Sequence, residues 1–145
     1  MSFSEILNDL IIDNGLTKRQ VAIKCKITTS QMTSFLRGAI PSIETAVRIA
    51  NYFSCSLNYL MGIDEYKDQT KITNEEYDLE NFFDRYNRVL ELNKISHWRL
   101  CQNLQIRESN IRGWKRGAVP KLDTLAKISS YLNCSIDYLL GRAKN

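Results

Sequence analysis

Apolar residues recur through the first 64 positions in short stripes of helical spacing, with polar residues filling the intervals. Phe3, Ile6, Leu7, Leu10 and Ile11 fall at i, i+3, i+4, i+7 and i+8, the buried face of an amphipathic helix. Gly15, just beyond, supplies a C-terminal stop. Thr17 caps a short second helix that turns Val21, Ala22 and Cys25 inward. After a break at Lys26-Ile27-Thr28, a third helix with Met32 and Phe35 inside runs to about Arg37, where Gly38 ends it. Pro41-Ser42 opens a fourth helix with Ile43, Ala46, Val47, Ile49 and Ala50 inside, and Ser56 caps a short fifth with Leu57, Leu60 and Met61. No strand signal interrupts these elements, so the pattern predicts an all-α fold.

The same pattern is then written a second time. Residues 3 to 64 and 82 to 143 align without a gap at an offset of 79, with 17 identities over 62 positions. Arg37-Gly38-Ala39-Ile40-Pro41 returns as Arg116-Gly117-Ala118-Val119-Pro120, and many other differences exchange one apolar residue for another, such as Leu16/Ile95 and Phe35/Trp114. A repeat divides the chain into two five-helix domains, 1–64 and 82–145, each near the lower size limit for a self-sufficient core.

Between them lies an acidic linker, 65–81. Thr73-Asn74-Glu75-Glu76 reads as a capping box, and Leu79, Phe82, Phe83, Tyr86, Val89 and Leu90 keep helical spacing after it. The linker is therefore expected to extend the first helix of the second domain backwards to about 20 residues, roughly 30 Å, leaving about 63 to 72 flexible. Leu79 and Phe83 have no apolar counterpart in the first repeat, and would pack this helix against its own domain or across a dimer.

Charge is divided unevenly: residues 1–64 carry a net +1, 65–81 a net −4 and 82–145 a net +7. In the first repeat most cations cluster at Lys18, Arg19, Lys24, Lys26 and Arg37, so a cationic face is expected on both halves, of the kind that gains nucleic-acid affinity by counterion release. Cys25, Cys55, Cys101 and Cys134 show no metal-ligand spacing and His97 is the single histidine, so no metal or other cofactor is expected and the thiols read as buried and reduced. Neither a signal-peptide pattern nor an apolar run of the ~18 residues a span requires is present. The expectation is a soluble cytoplasmic protein with no membrane partner and no evident small-molecule ligand.

A short helix, a tight turn and a second short helix form the unit that places a recognition helix in the DNA major groove. Leu16 to Ala22, Ile27 to Gly38 and Pro41 to Thr45 resemble the Cro and lambda-repressor-like helix-turn-helix family, and so do Ile95 to Cys101, Ile106 to Gly117 and Pro120 to Thr124. The resemblance implies two tandem lambda-repressor-like DNA-binding domains. Carried over by position, it puts the base-reading face on Thr28, Thr29, Ser30, Thr33 and Ser34 in the first repeat, and on Arg107, Glu108, Ser109, Arg112 and Gly113 in the second. Lys18 and His97 fall where the family touches a phosphate, plain exposure being the alternative for His97; Arg37 and Arg116 fall where the chain after the third helix meets the DNA backbone. Arginine can bond guanine in bidentate fashion, whereas a Thr/Ser face reads thymine methyls or makes single hydrogen bonds, so the second repeat is expected to bind more tightly.

Three departures from the family pattern stand out. A buried Arg–Glu pair common in the family is replaced by Ile11 with Leu36 and by Leu90 with Lys115. Gly113 interrupts a helix, either permitting close approach to DNA or having drifted there without consequence. Trp98 either stacks on a partner or covers neighbouring apolar surface. The resemblance implies a sequence-specific double-stranded DNA-binding regulator of the small phage or mobile-element repressor type, with a homodimer and an antagonist protein as further candidate partners. The alternative is that one repeat, the first by its weak charge, is a protein-interaction or dimerisation module, as in an antitoxin or phage inhibitor. An enzyme is not expected, because the chain lacks a phosphate-cradling loop and a nucleophile–histidine constellation.

Overall fold

The computed structural model describes residues 1–64 and 72–144, which fall in two compact units, Met1–Thr70 and Lys71–Asn145. The first unit comprises α1 (Phe3–Asp13), α2 (Lys18–Cys25), α3 (Thr29–Leu36), α4 (Ile43–Tyr52) and α5 (Leu57–Leu60). The second comprises α6 (Phe82–Asn93), α7 (His97–Leu104), α8 (Glu108–Lys115), α9 (Leu122–Leu132) and α10 (Ile136–Leu139). The all-α expectation holds: among the described residues the sole extended pairing is an isolated bridge between Ile72 and Ala143.

Most of the helices start at a side-chain cap, α6, α8 and α9 being the exceptions. Thr17 and Thr28 close full capping boxes with Gln20 and Gln31, and Ser42, Ser56, Ser96 and Ser135 each accept from an N–H of the first turn. Helix α1 ends in a Schellman motif: Gly15 N–H donates to the Ile12 carbonyl and Leu16 N–H to that of Ile11, with Gly15 at φ +63°. Its counterpart Lys94 holds the same left-handed conformation, φ 55°, without glycine's freedom.

The stripe on α1 is buried as a block, Phe3, Ile6, Leu7, Leu10 and Ile11 all being 5 % exposed or less, against α3, where Phe3 meets the Phe35 ring edge-on, and α5. At ~1.5–3 kcal/mol per buried side chain, these five contribute on the order of 10 kcal/mol before chain entropy opposes them. In the second unit Phe82, Tyr86, Val89 and Leu90 play the same part, Phe82 and Tyr86 meeting the Trp114 ring edge-on and the helix packing on α9 and α10. Two inward assignments need correction: Ile43 and Met61 are only half-buried, while Pro41 and Thr45 are buried instead. Cys25, Cys55 and Cys101 are buried, and Cys134 is half-buried.

The linker departs from expectation. Helix α6 begins at Phe82, and residues 72–81 are not helical. The capping box fails because its parts bond elsewhere: Thr73 donates from both N–H and Oγ1 to the Arg142 carbonyl, and Glu76 N–H is taken by Asn74 Oδ1. Asp78 then accepts from Arg85 Nη2 at 2.8 Å and its N–H donates to the Leu140 carbonyl, so 72–81 lies as a strap along the second unit. The rest of the stretch expected to be flexible, residues 65–71, lies outside the described residues.

A buried ion pair sits beneath the strap. Arg142 Nη1 is 2.8 Å from Asp137 Oδ1, with side-chain exposures of 0 % and 1 %. The first unit places Asn58 and Ile63 at these positions. The positions where the family's pair is replaced behave as apolar sites where the residues are apolar: Ile11 and Leu90 are buried and Leu36 half-buried, while Lys115 is exposed.

Candidate nucleic-acid interface

In the first unit α2 and α3 are joined by three residues, Lys26-Ile27-Thr28, with Lys26 in the left-handed conformation at φ 59°. Val21, Ala22 and Cys25 pin α2 and Met32 and Phe35 pin α3 to the core, so the opposite face of α3 must point outward. Thr29, Ser30 and Ser34 are exposed there, and their hydroxyls make no hydrogen bond among the described residues. Thr28 and Thr33 are less available. Thr28 Oγ1 accepts from Gln31 N–H at 3.0 Å as the helix cap, and Thr33 Oγ1 donates to the Thr29 carbonyl at 3.0 Å. Lys18, at the first position of α2, and Arg37, closing α3, are exposed.

The second unit repeats this scaffold with different chemistry on it. Arg107 stands at the N-cap of α8 without a side-chain cap bond, where Thr28 provides one in the first unit. Arg107, Arg112 and Arg116 are exposed, and no acid lies within ion-pair distance of them among the described residues. Three guanidinium groups along one short helix and its end are thus uncommitted. Ser109 is exposed beside them, and Glu108, also exposed, lies in the first helical turn, where a negative charge suits the helix dipole.

Gly113 is half-buried beside an open recess of ≈ 320 Å³ lined by Ser109, Trp114, Ala118, Pro120 and Lys121. A Cβ added there would meet only the Ala118 Cβ, at 3.8 Å. Ordinary contact would result, so packing does not demand glycine at this position.

His97 is not simply exposed. At the first position of α7, its ring lies parallel to Phe83, with centroids 6.1 Å apart and planes 3° apart, and its Nδ1 is 3.2 Å from the Tyr86 hydroxyl. Burial holds its pKa below the ordinary histidine value. Phe83 accordingly packs within its own unit. Trp98 covers little, being 62 % exposed.

Tyr86, which touches His97, is concealed in the sequence pattern, since it reads simply as part of the α6 stripe. It is 0 % exposed, its pKa raised by burial, and Phe82 and Trp114 surround it. One signal was available: Tyr86 occupies the slot that Leu7 fills in the first repeat, and a buried phenol needs a hydrogen-bond partner that leucine does not.

Residues 7–60 match the family model described as Helix-turn-helix, and residues 87–144 match the one described as Cro/C1-type HTH DNA-binding domain. No curated protein and no solved structure matches the chain. No helix among the described residues is long and apolar enough to cross a membrane.

Proposed function

We propose, for a chain that belongs to the helix-turn-helix family and carries two tandem Cro/C1-type DNA-binding domains, a sequence-specific transcriptional regulator that reads double-stranded DNA with the outward faces of both α3 and α8. The observation that carries this reading is the row of exposed, uncommitted arginines, Arg107, Arg112 and Arg116, on the helix that the core turns outward. Guanidinium groups there can bond guanine O6 and N7 in the major groove, while Lys18 and Arg37 in the first unit supply phosphate contacts. Two modules on one chain raise each other's effective concentration on adjacent half-sites, so modest individual affinities combine into tight binding. The likeness of both units to Cro/C1-type domains supports a small repressor of the phage or mobile-element kind.

A second reading applies to the first unit alone, as a protein-interaction or dimerisation module. It is favoured by the commitment of the Thr28 and Thr33 hydroxyls to α3 itself, and by the exposure of Ile12 and Ile23, 64 % and 65 %, on α1 and α2.

One experiment separates the two. Selection from a random duplex library yields an operator, against which Arg107→Ala/Arg112→Ala and Thr29→Ala/Ser34→Ala are compared by equilibrium binding. Loss of affinity in both double variants supports two reading helices. Loss confined to the arginine pair assigns the first unit to protein contacts, and a chain that selects no sequence refutes the regulator.

A further inference from the structure

The two repeats differ at three positions that meet in space. Phe83, Tyr86 and His97 stand in the second unit where the first has Ser4, Leu7 and Lys18. The His97 ring lies on Phe83 and 5.4 Å from the Tyr86 ring, and Trp114 of α8 abuts Tyr86 edge-on at 5.5 Å. The imidazole is thereby clamped on one face by Phe83 and held at one edge by Tyr86, at the first position of α7.

Hydrogen-bond accounting assigns the proton. Among the described residues the Tyr86 hydroxyl has one partner, His97 Nδ1. Were Nδ1 the donor, the phenolic proton of Tyr86, itself 0 % exposed, would have no acceptor among the described residues, at a cost of about 1–3 kcal/mol. If the phenol donates and Nδ1 accepts, both groups are satisfied and the imidazole proton resides on Nε2. That nitrogen has no partner among the described residues and is not one of the buried unpartnered atoms, so it faces solvent. Burial also disfavours the imidazolium, which keeps the ring neutral near pH 7.

We propose that Tyr86 and Phe83 are positioning residues that fix His97 as a neutral Nε2–H donor to a DNA backbone phosphate. The first repeat gives the same place to the flexible, charged Lys18. The proposal rests on the DNA-binding function of the second unit and adds how one contact is made. A neutral donor displaces no counterion, so its loss weakens binding without altering the salt dependence, whereas loss of a lysine contact alters both.

The test uses the full chain. Because His97 is the only histidine, ¹⁵N imidazole spectra report its tautomer without assignment ambiguity, and binding is followed with a random-sequence duplex across a salt series. The expected result is the Nε2–H tautomer at neutral pH in the wild type and a mixture of tautomers in Tyr86→Phe. Tyr86→Phe and His97→Phe should each weaken duplex binding by roughly three- to tenfold with an unchanged salt slope. His97→Gln, which keeps a donor, should lose less, and Lys18→Gln should reduce the slope by about 0.9. Phe83→Ser provides a second route to the same loosening should Tyr86→Phe fold poorly. An Nδ1–H tautomer in the wild type, or positioning variants that bind as the wild type does, overturns the proposal while leaving the DNA-binding function standing. A wild type that ignores the duplex at low salt overturns both, even where the tautomer is as expected.

Discussion

Removing Arg142 while leaving Asp137 in place should unfold the second unit or bring it close to unfolding, and removing both charges together should restore it. Arg142 and Asp137 are 0 % and 1 % exposed and 2.8 Å apart, so Arg142→Ile would take the paired guanidinium away from a carboxylate that water does not reach. Breaking a buried pair from one side costs about 3–5 kcal/mol. For a unit of this size each kcal/mol moves the melting temperature by roughly 4–8 °C, so a loss of at least about 12 °C is expected. Asp137→Asn/Arg142→Ile copies the Asn58 and Ile63 of the first unit, whose backbone already makes the corresponding bonds: Ile63 N–H to the Asn58 carbonyl at 2.8 Å, against Arg142 N–H to that of Asp137 at 2.7 Å. The double variant should lie within about 1–2 kcal/mol of the wild type, since replacing a whole buried pair with less polar groups is often neutral. Both variants lose the same arginine volume, so the difference between them isolates the effect of the charge. The assay is urea denaturation of the full chain followed by tryptophan fluorescence, which reports the second unit alone because both tryptophans, Trp98 and Trp114, belong to it. If the double variant is as unstable as Arg142→Ile, the lost contacts of the arginine stem, and not the stranded charge, determine the stability, and the reasoning fails.

Three further outcomes are expected. Lys94→Gly, which relieves a left-handed lysine at φ 55° where the first repeat has Gly15, should stabilise the second unit by about 1 kcal/mol in the same fluorescence assay. Arg107→Ser should give α8 the side-chain cap it lacks, raising stability by about 1 kcal/mol while weakening operator binding, so that melting and affinity move in opposite directions. Because burial lowers the folded-state pKa of His97, the unfolded chain takes up the proton first. The contribution of this residue to stability is then complete above the ordinary value of 6.5 and declines as pH falls below it, a decline that His97→Gln should remove from the urea midpoint measured against pH.

The legible part of this protein is the part written in short-range terms. The inward stripes on α1, α4 and α6 and the caps at Thr17, Ser42 and Ser56 each depend on residues three or four apart, so spacing alone reveals them, and the repeat at an offset of 79 carries the same pattern into the second unit. The outward position of Ser30, Ser34, Arg107 and Arg112 follows from the same logic, because Met32, Phe35 and Trp114 hold the opposite face inside. What tertiary structure decided were contests between a local partner and a distant one. Thr73 could have capped a helix, but the fold brings the Arg142 carbonyl, 69 residues away, within reach of its N–H and hydroxyl, and the strap follows that bond. Tyr86 and His97 find each other across the α6–α7 turn, and Asp137 and Arg142 pair because the packing above them excludes water. A linear pattern records which groups each residue offers; which offer is accepted depends on burial and distance, and those exist only once the chain has folded.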